Sequence, residues 1–201
     1  RWQVHPDGVH FEKSISYHRL VTEMLLVALA CGDQAGRPFS RGYRERVRGM
    51  LRFMEAYSRE DGTTPLFSDS DDGRLLRFTV AEAPTDHRGT LQVGSTVFAD
   101  PSLRRGVECH PDVYWLLGCG GVNRWRQLGT DRPGIRSASF PRGGYHVLRT
   151  ASAHFMMDAG PIGFDGGAGH GHNDTLSFEL AAGQDTFIVD SGTYCYTSDP
   201  D

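Results

Sequence analysis

The chain has 201 residues, 38% of them hydrophobic and 23% charged, enough apolar material to bury the core of one ordinary domain or parts of two. A net charge of −4 argues against nucleic acid or an anionic membrane as a general partner, because both select a basic surface. There is no run of about 18 apolar residues and no basic-then-apolar leader, so no membrane insertion is expected, and the opening "RWQVHPDG" and turn-rich end "TYCYTSDPD" read as the edges of an internal piece.

In chain order, Tyr17, Leu20, Val21, Met24, Leu25, Ala28 and Leu29 recur every three or four residues after Ser14, the stripe of an amphipathic helix that Gly32 is expected to end. Beyond the loop "GDQAGRPFS", Tyr43, Val47, Met50, Leu51, Met54 and Tyr57 repeat the period, so two helices of similar length are expected to pack antiparallel. Six arginines lie between Arg37 and Arg52, and Lys13 is the sole lysine among 21 basic residues. Such a run is either a solvated helix face or a grip on carboxylates or sulfates. "DSDDGR", residues 69 to 74, reads as an Asx-type turn. Its glycine comes one position early for a calcium-binding EF-hand, and Val80 stands where the bidentate Glu belongs. Two shorter helices are expected around Leu91–Ala99 and Asp112–Leu117.

After about residue 130 the texture changes. "GGYHVLRT", "AHFMMDAG", "TLSFELA" and "DTFIVD" are short, β-branched or aromatic, and separated by Gly or Ser turns, the pattern of an antiparallel sheet. In the third, Leu176, Phe178 and Leu180 are expected to face the core, with Thr175, Ser177 and Glu179 facing water. "AAGQD" supplies a hairpin turn. Helices first and strands second read as an α+β, multidomain chain, with residues 1–130 and 131–201 as its two parts. The four cysteines, Cys31, Cys109, Cys119 and Cys195, are scattered and neither require nor exclude disulfides.

Chemistry concentrates in "AGHGHNDTLSFEL", residues 168 to 180. In extended chain, His170 and His172 point the same way and suit zinc, and a hairpin would return Asp190 beside them as ligand or orienter. The alternative is a polar turn that happens to carry imidazoles, and spacing alone does not choose. A cupin-like metal oxidoreductase also opens its motif with HxH, but Glu179 lies too far along for that spacing. Upstream, Tyr17 near a helix start is either a core aromatic or a phenol whose pKa, normally about 10, cationic neighbours would lower for acid or base work.

Taken together and in this order, "DGVHFEKSISYH", "DSDDGR", "FPRGGYHVLR", "GHGHNDTLSFEL" and "IVDSGTYCYTSDP" resemble the heparinase II/III-like polysaccharide lyase family. The resemblance implies the C-terminal helices of an incomplete (α/α) toroid followed by the first strands of an antiparallel β-sandwich. It also implies β-elimination on a uronate-containing acidic polysaccharide bound between the two. Tyr17 would protonate the leaving oxygen, or serve as base for one uronate epimer, and His170 would act as base or partner acid. His172 and Asp190 would hold a structural zinc whose third ligand, a downstream His, is expected beyond Asp201. The residue that neutralises the substrate carboxylate is expected upstream of the chain, so the piece alone is expected to be inactive. A periplasmic or secreted location follows from the resemblance only. A catalytically silent glycan-binding or exopolysaccharide-biosynthesis-associated protein is the competing reading, and the choice of glycan stays open.

Overall fold

A computed structural model describes residues 3–79, 83–129, 136–163, 169–183 and 185–195. The boundary expected at residues 130 and 131 lies outside these, as do Val80, Ala168 and Tyr196. Four α-helices come first: α1 (Ile15–Gln34), α2 (Arg41–Tyr57), α3 (Arg88–Phe98) and α4 (Pro111–Gln127), with a 3₁₀ turn at Pro101–Leu103. Five strands follow, β1 (Ala138–Phe140), β2 (Tyr145–Arg149), β3 (Ala153–Asp158), β4 (Phe178–Ala182) and β5 (Asp185–Ile188). They form one antiparallel sheet in chain order, with an irregularity in the β4–β5 pairing between Leu180 and Ala181.

Helix α1 begins where Ser14, in extended conformation, accepts the backbone N–H of Tyr17, an N-cap that satisfies a donor the helix cannot. It runs two residues past Gly32, to Gln34. Its buried face is not the predicted stripe. Ile15, His18, Arg19, Thr22, Glu23, Leu26 and Leu29 point inward, while Met24 is exposed. The polar members are buried because each has a partner. Arg19 donates to the carbonyls of Pro84 and Gly73, and Glu23 accepts from the N–H groups of Leu75 and Leu76 and from the Thr90 hydroxyl. By length and composition α1 could cross a membrane, yet half of that stretch is buried inside the protein, as in a core helix.

Helix α2 follows its sequence pattern, burying Val47, Met50, Leu51, Phe53, Met54 and Tyr57. Helix α4 is longer than expected and kinks at Gly118, where φ is 63°. Phe53 joins helices to sheet, stacking on Tyr145 of β2 at 5.2 Å between centroids and meeting Phe140 of β1 edge-on at 4.8 Å. One hydrophobic cluster therefore runs from the helices into the sheet. The N-terminal segment crosses α2 so closely that a Cβ on Gly8, whose φ is +98°, would lie 2.3 Å from the backbone of Gly49. Asp7 then accepts the N–H groups of Arg142 and Gly143, pinning that segment to the β1–β2 turn.

The facing of β4 is the reverse of the expected one. Glu179 is 2% exposed, whereas Leu176 is 65% and Phe178 39% exposed. The helix-facing side of β4 meets Arg59, just past α2, and the Glu179 carboxylate pairs with it while also accepting the N–H groups of Leu66 and Asp190. Burial pushes the Glu179 carboxyl up, and Leu66 N–H and Arg59 work against that rise. The third donor comes from Asp190 N–H. A carboxylate with a guanidinium and two backbone donors outcompetes a leucine for that side of the strand.

Candidate active site

Tyr17 and His170 are brought together. The phenol leaves the first turn of α1 and the imidazole leaves the loop before β4, and the rings stack with centroids 4.0 Å apart and planes 18° apart. Tyr17 is half-buried and is no core aromatic. Its hydroxyl donates to Asp71 Oδ2 at 3.2 Å. Each member of the pair comes from a different part of the chain, so the site exists only where helices and strands meet.

The loop 68–76 is the third wall. The Ser14 hydroxyl, whose oxygen caps α1, donates to the Asp69 carbonyl at 2.7 Å, and the Ser16 hydroxyl donates to the Asp71 carbonyl at 3.3 Å. From the sheet side, Asp69 N–H donates to the His170 carbonyl at 3.0 Å, Ser68 N–H to Asp174 and Ser70 N–H to the Thr193 hydroxyl. Ser68 takes a left-handed φ of 64°, a strained conformation that these bonds hold in place. Asp71 makes the expected Asx turn by accepting Gly73 N–H, and its other carboxylate oxygen meets Tyr17. The side chain of Asp69 faces both histidines, Oδ2 at 2.9 Å from His170 Nδ1 and Oδ1 at 2.9 Å from His172 Nε2. Reading "DSDDGR" as a turn alone missed both contacts. Two acids one residue apart, in a loop that must fold back on α1, were the available signal.

Asp190 follows β5 and accepts Gly192 N–H at 2.7 Å. Burial raises its carboxyl pKa, Gly192 N–H works against that rise, Asp174 adds to it, and His172 lies near enough to oppose it. The acid that touches the two histidines is Asp69. Among the described residues no group of three His, Cys, Asp or Glu side chains converges as a metal would need. The donor types do fit zinc, since His172 has a carboxylate on one ring nitrogen and a second nitrogen left to ligate, with Asp190 close enough to feel its charge.

His10, which the sequence did not single out, and His18, the neighbour of Tyr17 in the Tyr-His pair, lie buried beside the site. Burial pushes His18 down to about 3, and its ring is satisfied only when neutral, with Nε2–H on the Met50 carbonyl and Nδ1 accepting His10 N–H. His10 is pushed to about 4 by burial first and then by His5 and His170. On the sheet side, Lys13 donates to the Pro161 carbonyl and Tyr145 donates to the Lys13 carbonyl, tying the segment before α1 to the loop that leads towards His170. Asp158 beside Lys13 is raised to about 6 by burial, against the pull of Gly160 N–H and Lys13. Cys31, Cys109 and Cys119 are free thiols.

Comparison with known proteins agrees with this architecture. The family description "Heparinase II/III N-terminus" matches residues 1–82 and "Heparinase II/III-like, C-terminal" matches residues 132–201. A solved heparinase III gene product is similar over 98% of this chain at a TM-score of 0.71 and 24% identity. The heparan sulfate lyase HepC from Pedobacter heparinus, as a mutant, is similar over 98% at a TM-score of 0.70 and 22% identity. This chain covers 27% and 28% of those two chains. No curated protein sequence matches it. The helices and sheet are the end of a toroid and the opening of an antiparallel sandwich, and with matches in both parts the chain belongs to the heparinase II/III-like family.

Proposed function

We propose that the parent protein is a polysaccharide lyase that cleaves a uronate-containing acidic glycan by β-elimination. The observation that carries this reading is the stack of Tyr17 on His170, which sets a phenol and an imidazole side by side at the junction of helices and sheet. In the reaction a base takes the C5 proton, its electrons form the C4–C5 double bond, and the C4–O bond breaks as the leaving oxygen is protonated. His170 serves as base while Tyr17 delivers the proton to the leaving oxygen; for the other uronate epimer Tyr17 serves as base and His170 as partner acid. No water is consumed, unlike glycoside hydrolysis. A weakly acidic C–H needs a well-placed base and stabilisation of the charge that develops on the carboxylate side, which is why the groups must be held rigidly.

His172 and Asp190 are the residues that would hold a structural zinc, which when bound would brace the His170 loop without entering the reaction. The glycan is expected to be met outside the cytoplasm, in the periplasm or beyond the cell. The test is incubation of the parent protein with a panel of uronate polysaccharides, following the ultraviolet absorbance of the unsaturated product, with His170→Ala alongside. Product that disappears in the variant supports the lyase. Binding of a glycan with no product favours a catalytically silent glycan-binding protein.

A further inference from the structure

Asp69 is the one described side chain that touches both histidines of the HxH segment, and a carboxylate can only accept. Its two oxygens face different ring atoms, Nδ1 of His170 and Nε2 of His172, both at 2.9 Å. Each of those nitrogens must therefore carry the hydrogen. A neutral His170 is then the Nδ1–H tautomer with its lone pair on Nε2. A neutral His172 is the Nε2–H tautomer with its lone pair on Nδ1. We propose that Asp69 is a positioning residue that imposes opposite tautomers on His170 and His172, so that one presents Nε2 to substrate and the other presents Nδ1 to a ligand.

The carboxylate is built to hold this geometry. It is only 16% exposed as a side chain, and its own backbone is fixed at both ends, the carbonyl by Ser14 and the N–H by the His170 carbonyl. A free imidazole prefers the proton on Nε2, so His170 is the ring on which Asp69 acts against intrinsic preference. The same residue thereby answers how two identical side chains one residue apart serve different purposes. Their division of labour is set by a partner 101 residues upstream of His170 and 103 upstream of His172. A second-sphere carboxylate of this kind is worth about 10- to 100-fold in activity or ligand affinity.

The catalytic half of this inference rests on the lyase reading, and the experiment separates the two. In the parent protein labelled with ring-¹⁵N histidine, long-range ¹H–¹⁵N spectra report the tautomer of each ring, assigned with His170→Gln and His172→Gln. The expected result is Nδ1–H for His170 and Nε2–H for His172, with His170 reverting to Nε2–H in Asp69→Ala. That variant is expected to lose about 10- to 100-fold in kcat with KM unchanged. If Asp69→Ala does not fold, Asp69→Asn replaces it: its NH2 is a donor where one carboxylate oxygen accepted, so the ring facing it must present a lone pair and switch tautomer. The same tautomer on both rings of the unmutated protein overturns the proposal, as does a variant that changes KM and leaves kcat alone. Opposite tautomers in a protein that eliminates no uronate glycan would keep the role of Asp69 and remove the lyase.

Discussion

The phenol ring of Tyr17 lies flat on the imidazole of His170, while its hydroxyl points away to Asp71. The stack itself does not depend on the hydroxyl. Tyr17→Phe is therefore expected to keep the rings together and to lose the bond to Asp71, about 1 kcal/mol of stability. Elimination by the parent protein should fall by roughly 100-fold or more, the usual worth of a positioned proton donor. Thermal melting and product absorbance measured on the same sample check both halves. A variant that unfolds would mean the ring is held through its hydroxyl.

Acidification is expected to destabilise the protein below about pH 6.5. His10, His18 and His154 are held neutral by burial, with folded pKa values of about 4, 3 and 4. Once unfolded they take up protons near the ordinary value of about 6.5, so the unfolded state gains protons first as pH falls. Each histidine then contributes a loss on the order of 3 kcal/mol by pH 4. Asp158 has the opposite sign. Raised to about 6, it favours the folded state at low pH, and that contribution disappears as pH rises from about 4 through 6. His87, also lowered by burial, joins the three histidines, while the raised carboxyls of Glu179 and Asp190 act with Asp158; the histidine shifts are the larger, so net loss on acidification is expected. Denaturant unfolding at pH 7 and pH 5 measures it, and Asp158→Asn should steepen the loss.

Glu179 is expected to be among the most sensitive positions outside the site. Glu179→Ala would leave the Arg59 guanidinium and the N–H groups of Leu66 and Asp190 facing a buried gap. A cost of about 3–5 kcal/mol follows from breaking one side of a buried pair. Glu179→Gln, which still accepts from the backbone, should cost less. Urea midpoints of the two variants decide between this account and one in which burial of carbon alone holds β4.

For the metal, His172→Ala is expected to lower the zinc content of the parent protein and its melting temperature. Chelation of the unmutated protein should reproduce the fall in melting temperature, because a structural metal contributes folding free energy. Metal analysis after dialysis reads the first effect and calorimetry the second. Zinc retained at full occupancy in the variant would remove His172 from the ligand set.

How much of this was legible in sequence depended on whether a local rule decided the outcome. Apolar period alone placed α2, because there burial follows hydrophobicity, and turn residues bracketing β-branched runs placed β2 to β5. It failed in α1 and β4, where Arg19, Glu23 and Glu179 are buried with partners far along the chain. No window of sequence shows that a loop fifty residues away will offer two N–H groups to Glu23. Tyr17 and His170 were legible because a motif marks them. Asp69 was hidden because a turn explained it sufficiently. β1, three residues long, was too short to be seen.

Ser14 begins α1 and also grips Asp69, 55 residues on, while Asp69 reaches His170 another 101 residues on. Loops of that size close late, since the entropy of bringing their ends together must be met before the contact rewards it. In refolding, helical signal can therefore recover on local contacts alone, and the ring pair meets only when the whole chain is in register. Contact between Tyr17 and His170, more than helix content, is then the readout of a finished molecule.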